Sequence, residues 1–162
     1  MFSNLAAVLK ALAKYEEAKE KQKQALKINV AIYGENHPEV ATLLNNLGGI
    51  LDLLGQYEEA KEKHEQALKI RRAIYGENHP DVAISLNNLG RGFVSRGQYK
   101  EAEKKYEQAL KINIAIYGEN HPDVATSLDN LGHVFLLLNQ YEKSKEKHEQ
   151  ALKINIYAKG TT

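Results

Sequence analysis

Six histidines are the residues of this sequence best suited to hold a metal ion or to transfer protons near neutral pH. His37, His79 and His121 recur every 42 residues, and His64 and His148 lie two such intervals apart. A metal ion needs its ligands about 2 Å away, and equivalent residues of a repeat lie a whole repeat apart. The spacing therefore argues against a shared metal site. We expect the first three histidines to cap helices and the other two to pack between helices.

The sequence carries no motif for covalent or phosphoryl chemistry. It has no glycine-rich phosphate loop, no His-Glu-x-x-His and no nucleophile elbow. The absence of cysteine excludes disulfides and thiolate metal ligands. Its many carboxylates fall on helix faces that we expect to be solvated, without a pocket to shift their pKa. We therefore predict no catalytic residues, no metal and no cofactor.

Charge and hydropathy limit the classes of partner. The 162 residues include 22 basic and 21 acidic side chains, for a formal net charge of +1. Without a large excess of either sign, we expect no general binding to nucleic acid or to an anionic membrane. No apolar run approaches the roughly 18 residues of a membrane span, and the first residues lack the pattern of a signal peptide. A cytoplasmic protein is the default expectation.

The segment Tyr-Gly-Glu-Asn-His-Pro occurs at 33–38, 75–80 and 117–122, so the chain has a period of 42 residues. Self-similarity at a period of about 20–50 residues indicates a solenoid or a similar array. We expect a single array over residues 1–162, with repeats at approximately 1–36, 37–78, 79–120 and 121–162, the first of them truncated at its N-terminus.

Each repeat carries the signals of two helices. The apolar side chains between Val40 and Leu54 lie on one helical face, and Pro38 suits the first position of a helix. Residues that tolerate positive φ follow these first helices at Gly55, Gly97 and Asn139. Ala13 stands there in the first copy, so we expect that turn to be the least regular. The predicted pairs are 2–13 with 15–33, 38–54 with 57–75, 80–96 with 99–117, and 122–138 with 141–158.

The motif Leu44-x2-Leu47-Gly48-x2-Leu51, followed by Ala60 and Ala67, resembles the tetratricopeptide repeat. The period of 42 residues and the Ala-Leu-Lys-Ile-Arg end of a second helix are similar to the kinesin light chain group. The resemblance implies an all-α fold, an α-solenoid of about eight helices in antiparallel pairs that form a right-handed superhelix. It also implies a non-enzymatic adaptor or scaffold whose concave groove, lined by the first helices, binds an extended peptide.

One polar column recurs on the first helices. Asn4, Asn46, Asn88 and Asn130 are each 42 residues apart. Asparagine is a mediocre helix former, so four in register need a reason beyond propensity. Each amide could hydrogen-bond the backbone of an extended peptide in the groove. Two alternatives are a bond to the neighbouring helix and the simple duplication of an ancestral repeat.

The resemblance to the kinesin light chain group adds basic residues to this column. In that group, asparagines at this position and an arginine near the end of the second helix contact an extended acidic or aromatic peptide. Asn46 and Asn88 match the asparagines and Arg71 matches the arginine. Lys10 falls where the group often has another basic residue.

Positions that differ between copies are candidates for specificity. One turn beyond the asparagines, Arg91 and His133 would lie on adjacent first helices. At the usual spacing of roughly 8–10 Å between packed helices, they could share one acidic group. The alternative is that both are exposed residues without a ligand.

Apolar residues near both ends of the sequence suggest a second function. Arrays of this kind need polar capping elements, because an end repeat otherwise exposes the face meant for a neighbour. The residues that would be left uncovered are Phe2, Leu5, Val8 and Leu9 near one end, and Ile154, Ile156 and Tyr157 near the other. Either the chain is a fragment of a longer array or its ends meet another copy. A self-assembling solenoid that oligomerises through its terminal repeats is therefore the alternative to a peptide-binding module.

Overall fold

A computed structural model describes residues 2–160 of the chain, apart from the side chains of residues 2–4 and 6. This part of the chain forms helices and turns, without a strand. The helices are α1 Phe2–Tyr33, α2 Pro38–Leu53, α3 Tyr57–Tyr75, α4 Pro80–Ser95, α5 Tyr99–Tyr117, α6 Pro122–Leu137 and α7 Tyr141–Gly160. The predicted fold class, an all-α solenoid of antiparallel helix pairs, is confirmed.

The chain divides into two compact units, Met1–Ile74 and Tyr75–Thr162. The core of the first unit joins α1, α2 and α3 through Leu26, Val30, Val40, Ala41, Leu44, Ala67 and Ile70. The second unit has an equivalent core between α5, α6 and α7, made by Leu110, Val124, Ala125, Leu128, Ala151 and Ile154. Burying one valine, leucine or isoleucine contributes about 1.5–3 kcal/mol. These aliphatic clusters are therefore the main force that holds successive helices together.

Glycines let the two helices of a pair approach closely. A Cβ atom on Gly48 would lie 2.6 Å from Cε1 of His64, and one on Gly90 would lie 2.5 Å from Cε1 of Tyr106. Both rings are buried. Each ring therefore packs directly on the backbone of the first helix, in space that any other residue would occupy.

The segment Tyr-Gly-Glu-Asn-His-Pro ends one helix and caps the next, as predicted. The Nδ1 atom of His37 accepts a hydrogen bond from the backbone N–H of Glu39 at 3.2 Å. His79 and His121 cap α4 and α6 in the same way, both at 3.1 Å. The tyrosine of each segment also stacks on its histidine, which was not predicted from the sequence. The ring centroids are 4.3 Å apart for Tyr33 and His37, 4.0 Å for Tyr75 and His79, and 4.1 Å for Tyr117 and His121.

The prediction of separate helices at 2–13 and 15–33 is wrong, because α1 is continuous. The later first helices end at residues with positive φ, which are Gly55 at 73°, Gly97 at 73° and Asn139 at 59°. Ala13 has a Cβ, which makes the left-handed conformation cost about 1–2 kcal/mol, and alanine is the strongest helix former. The helix therefore runs on. As a result Leu9 is 57% exposed, whereas its counterpart in α2, Leu51, is 0% exposed.

Candidate functional site

The described asparagines of the column lie on helix faces that are more exposed to solvent than the faces that carry the core leucines. Asn46 is exposed, and Asn88 and Asn130 are half-buried. The residue that follows each of them is a buried leucine of the core. Asn46 belongs to the first unit and the other two to the second. The side chain of Asn4 lies outside the described residues.

The three described amides of this column, at Asn46, Asn88 and Asn130, are not bonded to a neighbouring helix within residues 2–160. Oδ1 of Asn88 accepts a hydrogen bond from Nη2 of Arg91, on the same helix, at 2.8 Å. Asn46 and Asn130 have no hydrogen bond partner within the described part of the chain. In α2 the residue before Asn46 makes the contact with the neighbouring helix, since Oδ1 of Asn45 lies 3.0 Å from Nδ1 of His64.

The basic residues of the first unit differ in exposure. Arg71 is only 6% exposed, and its Nη2 donates to Oγ1 of Thr42 at 3.3 Å. Thr42 is exposed and lies one turn before Asn46, so the guanidinium reaches the edge of the open side of α2. Lys10 is exposed on α1. A role for either residue in peptide binding stays a prediction.

Arg91 and His133 are both exposed, on α4 and α6 of the second unit. The guanidinium of Arg91 holds the Asn88 amide and lies close enough to Tyr106 to affect its ionisation. Burial raises the pKa of the Tyr106 hydroxyl, and the positive charge of Arg91 partly opposes that rise.

A cavity of about 230 Å³ lies between α4 and α6, with one wall from α5. We call it the amide cavity, because two asparagines line it. Its lining residues are Pro80, Ala83, Ile84, Asn87, Asn113, Asp123 and Thr126. Ile84 and Thr126 each lie one helical turn before an asparagine of the column. The cavity therefore opens one helical turn from Asn88 and Asn130, and it was not predicted from the sequence.

Comparison with known proteins identifies the family. The tetratricopeptide repeat model matches residues 1–73, 51–115 and 94–155. The chain belongs to the tetratricopeptide repeat family. This fold is generally a non-catalytic scaffold for protein interactions. A search among curated proteins finds no match.

Solved structures of kinesin light chain-like proteins share the fold. BtubC (BKLC) from P. vanneervenii is 29% identical over 96% of this chain, with a TM-score of 0.83, and the chain spans 62% of its length. The nearly identical repeats of a kinesin light chain-type protein from Podosopora anserina are 26% identical, with a TM-score of 0.76 and coverage of 95% and 73%. A Rap protein complexed with competence and sporulation factor is 22% identical, with a TM-score of 0.76 and coverage of 88% and 38%, which shows the fold alone.

A buried polar cluster in the tetratricopeptide core was missed from sequence. His64 is 1% exposed, and its Nε2 lies 3.3 Å from Oδ2 of Asp52. The sequence contained an indication of it, because only one copy has an acidic residue at this position. The residues equivalent to Asp52 are Lys10, Val94 and Leu136. The prediction that His64 packs between helices is confirmed. His148 is exposed, although its Nδ1 lies 2.9 Å from Oδ1 of Asp129 on the neighbouring helix.

The described residues of this tetratricopeptide protein form neither a metal-binding group nor a membrane-spanning helix. No group of three or more histidine, aspartate or glutamate side chains among residues 2–160 could hold a metal ion. The capping histidines use Nδ1 as an acceptor, so the ring proton is on Nε2 and neither nitrogen offers a free lone pair. No helix in the same range is long and apolar enough to cross a membrane.

Proposed function

We propose that the second unit binds an extended segment of a partner protein between α4 and α6. The observation that carries this proposal is Asn130, a half-buried residue whose amide has no hydrogen bond partner in the described chain. A polar group that is partly removed from water without a partner loses free energy. A peptide backbone presents both donors and acceptors, so it can satisfy this amide and that of Asn88 together.

Arg91 and His133 supply the charge selectivity in this proposal. Both are exposed on the helices that carry Asn88 and Asn130, one turn further along. Arg91 is positive at neutral pH, and a carboxylate of the partner would complete its bonding, because guanidinium pairs well with carboxylates. We include Asn4, Asn46, Arg71 and Lys10 as the corresponding binding residues of the first unit.

The family supports a protein partner, because tetratricopeptide folds are generally interaction scaffolds. The Rap protein that shares the fold was solved in complex with competence and sporulation factor. We propose that the present chain binds a protein partner and acts without catalysis or cofactor, in the cytoplasm, and without binding nucleic acid or membranes. Fluorescence microscopy of the tagged protein tests the location, since a signal at the membrane would contradict it.

A peptide-display selection against the folded protein tests binding between α4 and α6. The selected peptide should bind Asn88→Ala/Asn130→Ala roughly tenfold or more weakly, because two hydrogen bonds contribute about 1–3 kcal/mol. The thermal midpoint should barely change, since neither amide bonds to another helix. Asn155→Ala on α7 is the matched control and should bind as the parent does. Unchanged affinity in the double variant, or a large loss of its stability, would show that the column is structural.

Self-association is the second candidate function. Leu9 on α1 and Leu152, Ile156 and Tyr157 on α7 are all more than half exposed, so two apolar faces are open to another copy of the chain. The expectation that Ile154 is uncovered is wrong, because this residue is 7% exposed and packs in the core of the second unit. Exposed apolar patches of this kind, here on α1 and on α7, commonly mark protein interaction surfaces. Light scattering over a range of concentrations tests this, with Leu9→Glu and Ile156→Glu expected to reduce the mass of any assembly. A constant monomer mass for the parent protein would exclude it.

A further inference from the structure

The amide cavity lies next to the asparagine column and has hydrogen-bonding groups of its own. Pro80, Ala83 and Ile84 give it an apolar wall, and its polar lining is Asn87, Asn113, Asp123 and Thr126. All of these residues belong to the second unit. The donors and acceptors of these side chains that are not already bonded within the protein determine the kind of ligand that the cavity fits.

The donors of this polar lining are mostly engaged within the protein. Nδ2 of Asn113 donates to Oγ of Ser127 at 2.9 Å and to the backbone oxygen of Asp123 at 3.4 Å. The hydroxyl of Thr126 donates to the backbone oxygen of Pro122 at 3.1 Å. What these side chains still offer is therefore the amide oxygen of Asn113 and the lone pairs of Oγ1 of Thr126.

Asp123 also lines the cavity, and its carboxylate is a further acceptor on this residue. Its Oδ2 lies 3.8 Å from Nδ1 of His121, which is too long for a hydrogen bond. That nitrogen already accepts the backbone N–H of Asp123, so it carries no proton to donate. The carboxylate is also more than half exposed.

Asn87 completes the set, because its Oδ1 is buried without a partner. The equivalent residues in the second and fourth repeats have one. Asn45 pairs with His64, and Asp129 pairs with His148. In this repeat Tyr106 stands where the second and fourth repeats have His64 and His148, so the ring nitrogen is missing. Apart from the amide nitrogen of Asn87, every polar group that this lining leaves unused is an acceptor.

We propose that the amide cavity binds the cationic side chain of a lysine or arginine from the segment held between α4 and α6. A site of oxygen acceptors with one carboxylate favours a group that only donates, and ammonium and guanidinium are such groups. The apolar wall formed by Pro80, Ala83 and Ile84 suits the aliphatic stem of the same side chain. The positive N-terminal end of α6 opposes a cation, and the Asp123 carboxylate in its first turn offsets that effect.

This inference rests on the proposed function and makes the partner more specific. A lysine or arginine in the cavity and a carboxylate near Arg91 describe a segment with one basic and one acidic group. The preference belongs to the second unit alone, because Arg71 in the first unit stands at the position equivalent to Asn113. A guanidinium at that position would repel a second cation.

Nuclear magnetic resonance of the full chain tests the cavity without a selected peptide. The probes are Nα-acetyl-lysine-N-methylamide and its norleucine and glutamate analogues, titrated at matched ionic strength. The lysine probe should shift the side-chain amide signals of Asn87 and Asn113 and the backbone signal of Thr126. We expect its apparent affinity to exceed that of the norleucine probe about tenfold, as one charge-assisted hydrogen bond provides.

Two variants and one control complete the experiment. Asn113→Arg introduces into the cavity the arginine that the first unit has at the equivalent position, Arg71. Asn87→Leu removes the buried amide oxygen. Both variants should bind the lysine probe no more tightly than the norleucine probe. Asn155→Arg adds the same charge at the equivalent, exposed position of α7 and should keep the preference for the lysine probe. Equal shifts from the norleucine probe, or none from the lysine probe, would overturn the inference. Selected peptides that bind without a basic residue would also overturn the inference, but they would leave the proposed function intact. If Asn88→Ala/Asn130→Ala does not weaken peptide binding, that result counts against the proposed function.

Discussion

Gly48 and Gly49 are neighbours in α2 that allow packing to be separated from helix propensity. Replacing either by alanine restricts the unfolded chain and favours the helix by about 1 kcal/mol in total. A Cβ atom at Gly48 would lie 2.6 Å from Cε1 of His64, whereas nothing lies within 4 Å of a Cβ atom at Gly49. We therefore expect Gly49→Ala to raise the free energy of unfolding by up to about 1 kcal/mol.

Gly48→Ala should have the opposite sign. The His64 ring is 1% exposed and has no open space to move into, so overpacking costs about 1–3 kcal/mol. A displaced ring also weakens its hydrogen bonds to Asn45 and Asp52, each contributing about 0.5–1.5 kcal/mol. After the gain in helix propensity is subtracted, the net loss is about 1–5 kcal/mol.

Urea unfolding followed by circular dichroism measures both variants. Their midpoints should move in opposite directions with unchanged slopes, which assigns the difference to stability alone. Because the two residues are adjacent in one helix, differences in position along the helix cancel. If both alanines move the midpoint in the same direction by the same amount, the close approach of His64 is not the reason for glycine at residue 48.

The same measurement checks three further predictions. His79→Ser should lose the ring stack but keep a cap, so the free energy of unfolding should fall by about 0.5–1.5 kcal/mol. His79→Ala also loses the cap and should lower it by about 1 kcal/mol more. The reverse order of stability would contradict the capping role. Leu51→Ala should cost about 2–5 kcal/mol, whereas Leu9→Ala, at the equivalent but exposed position, should cost less than about 0.5 kcal/mol, and equal losses would show that Leu9 is buried in solution. Gly132→Ala should cost less than Gly48→Ala, because the histidine against it is exposed and can rotate away.

Helix boundaries were predictable where they depend on local chemistry. Pro38 starts α2 and Gly55 follows its end, within two residues of the predicted bounds. Both effects act through the φ angle of a single residue, so they can be read without knowing the fold. Ala13 marks the limit of that approach. The period implied a turn there, but alanine has no property that ends a helix.

The candidate site was predictable only in part, because it depends on contacts between helices. Asn45 and Asn46 are adjacent asparagines, and both positions repeat with a polar residue at intervals of 42. Which of them turns to the core depends on His64, which lies on another helix. The amide cavity depends likewise on three helices and on the absence of a histidine at Tyr106. Neither fact is contained in the periodicity.

The stacked tyrosine and histidine rings have a consequence for how the chain unfolds. Tyr117 is the last residue of α5 and His121 directly precedes α6, so their contact joins the end of one helix to the start of the next. In repeat proteins, the cooperativity of unfolding depends on the coupling between neighbouring elements. Because one histidine both caps α6 and holds the end of α5, fraying of either end removes a contact from the other. The motif therefore makes adjacent helix ends melt together instead of independently.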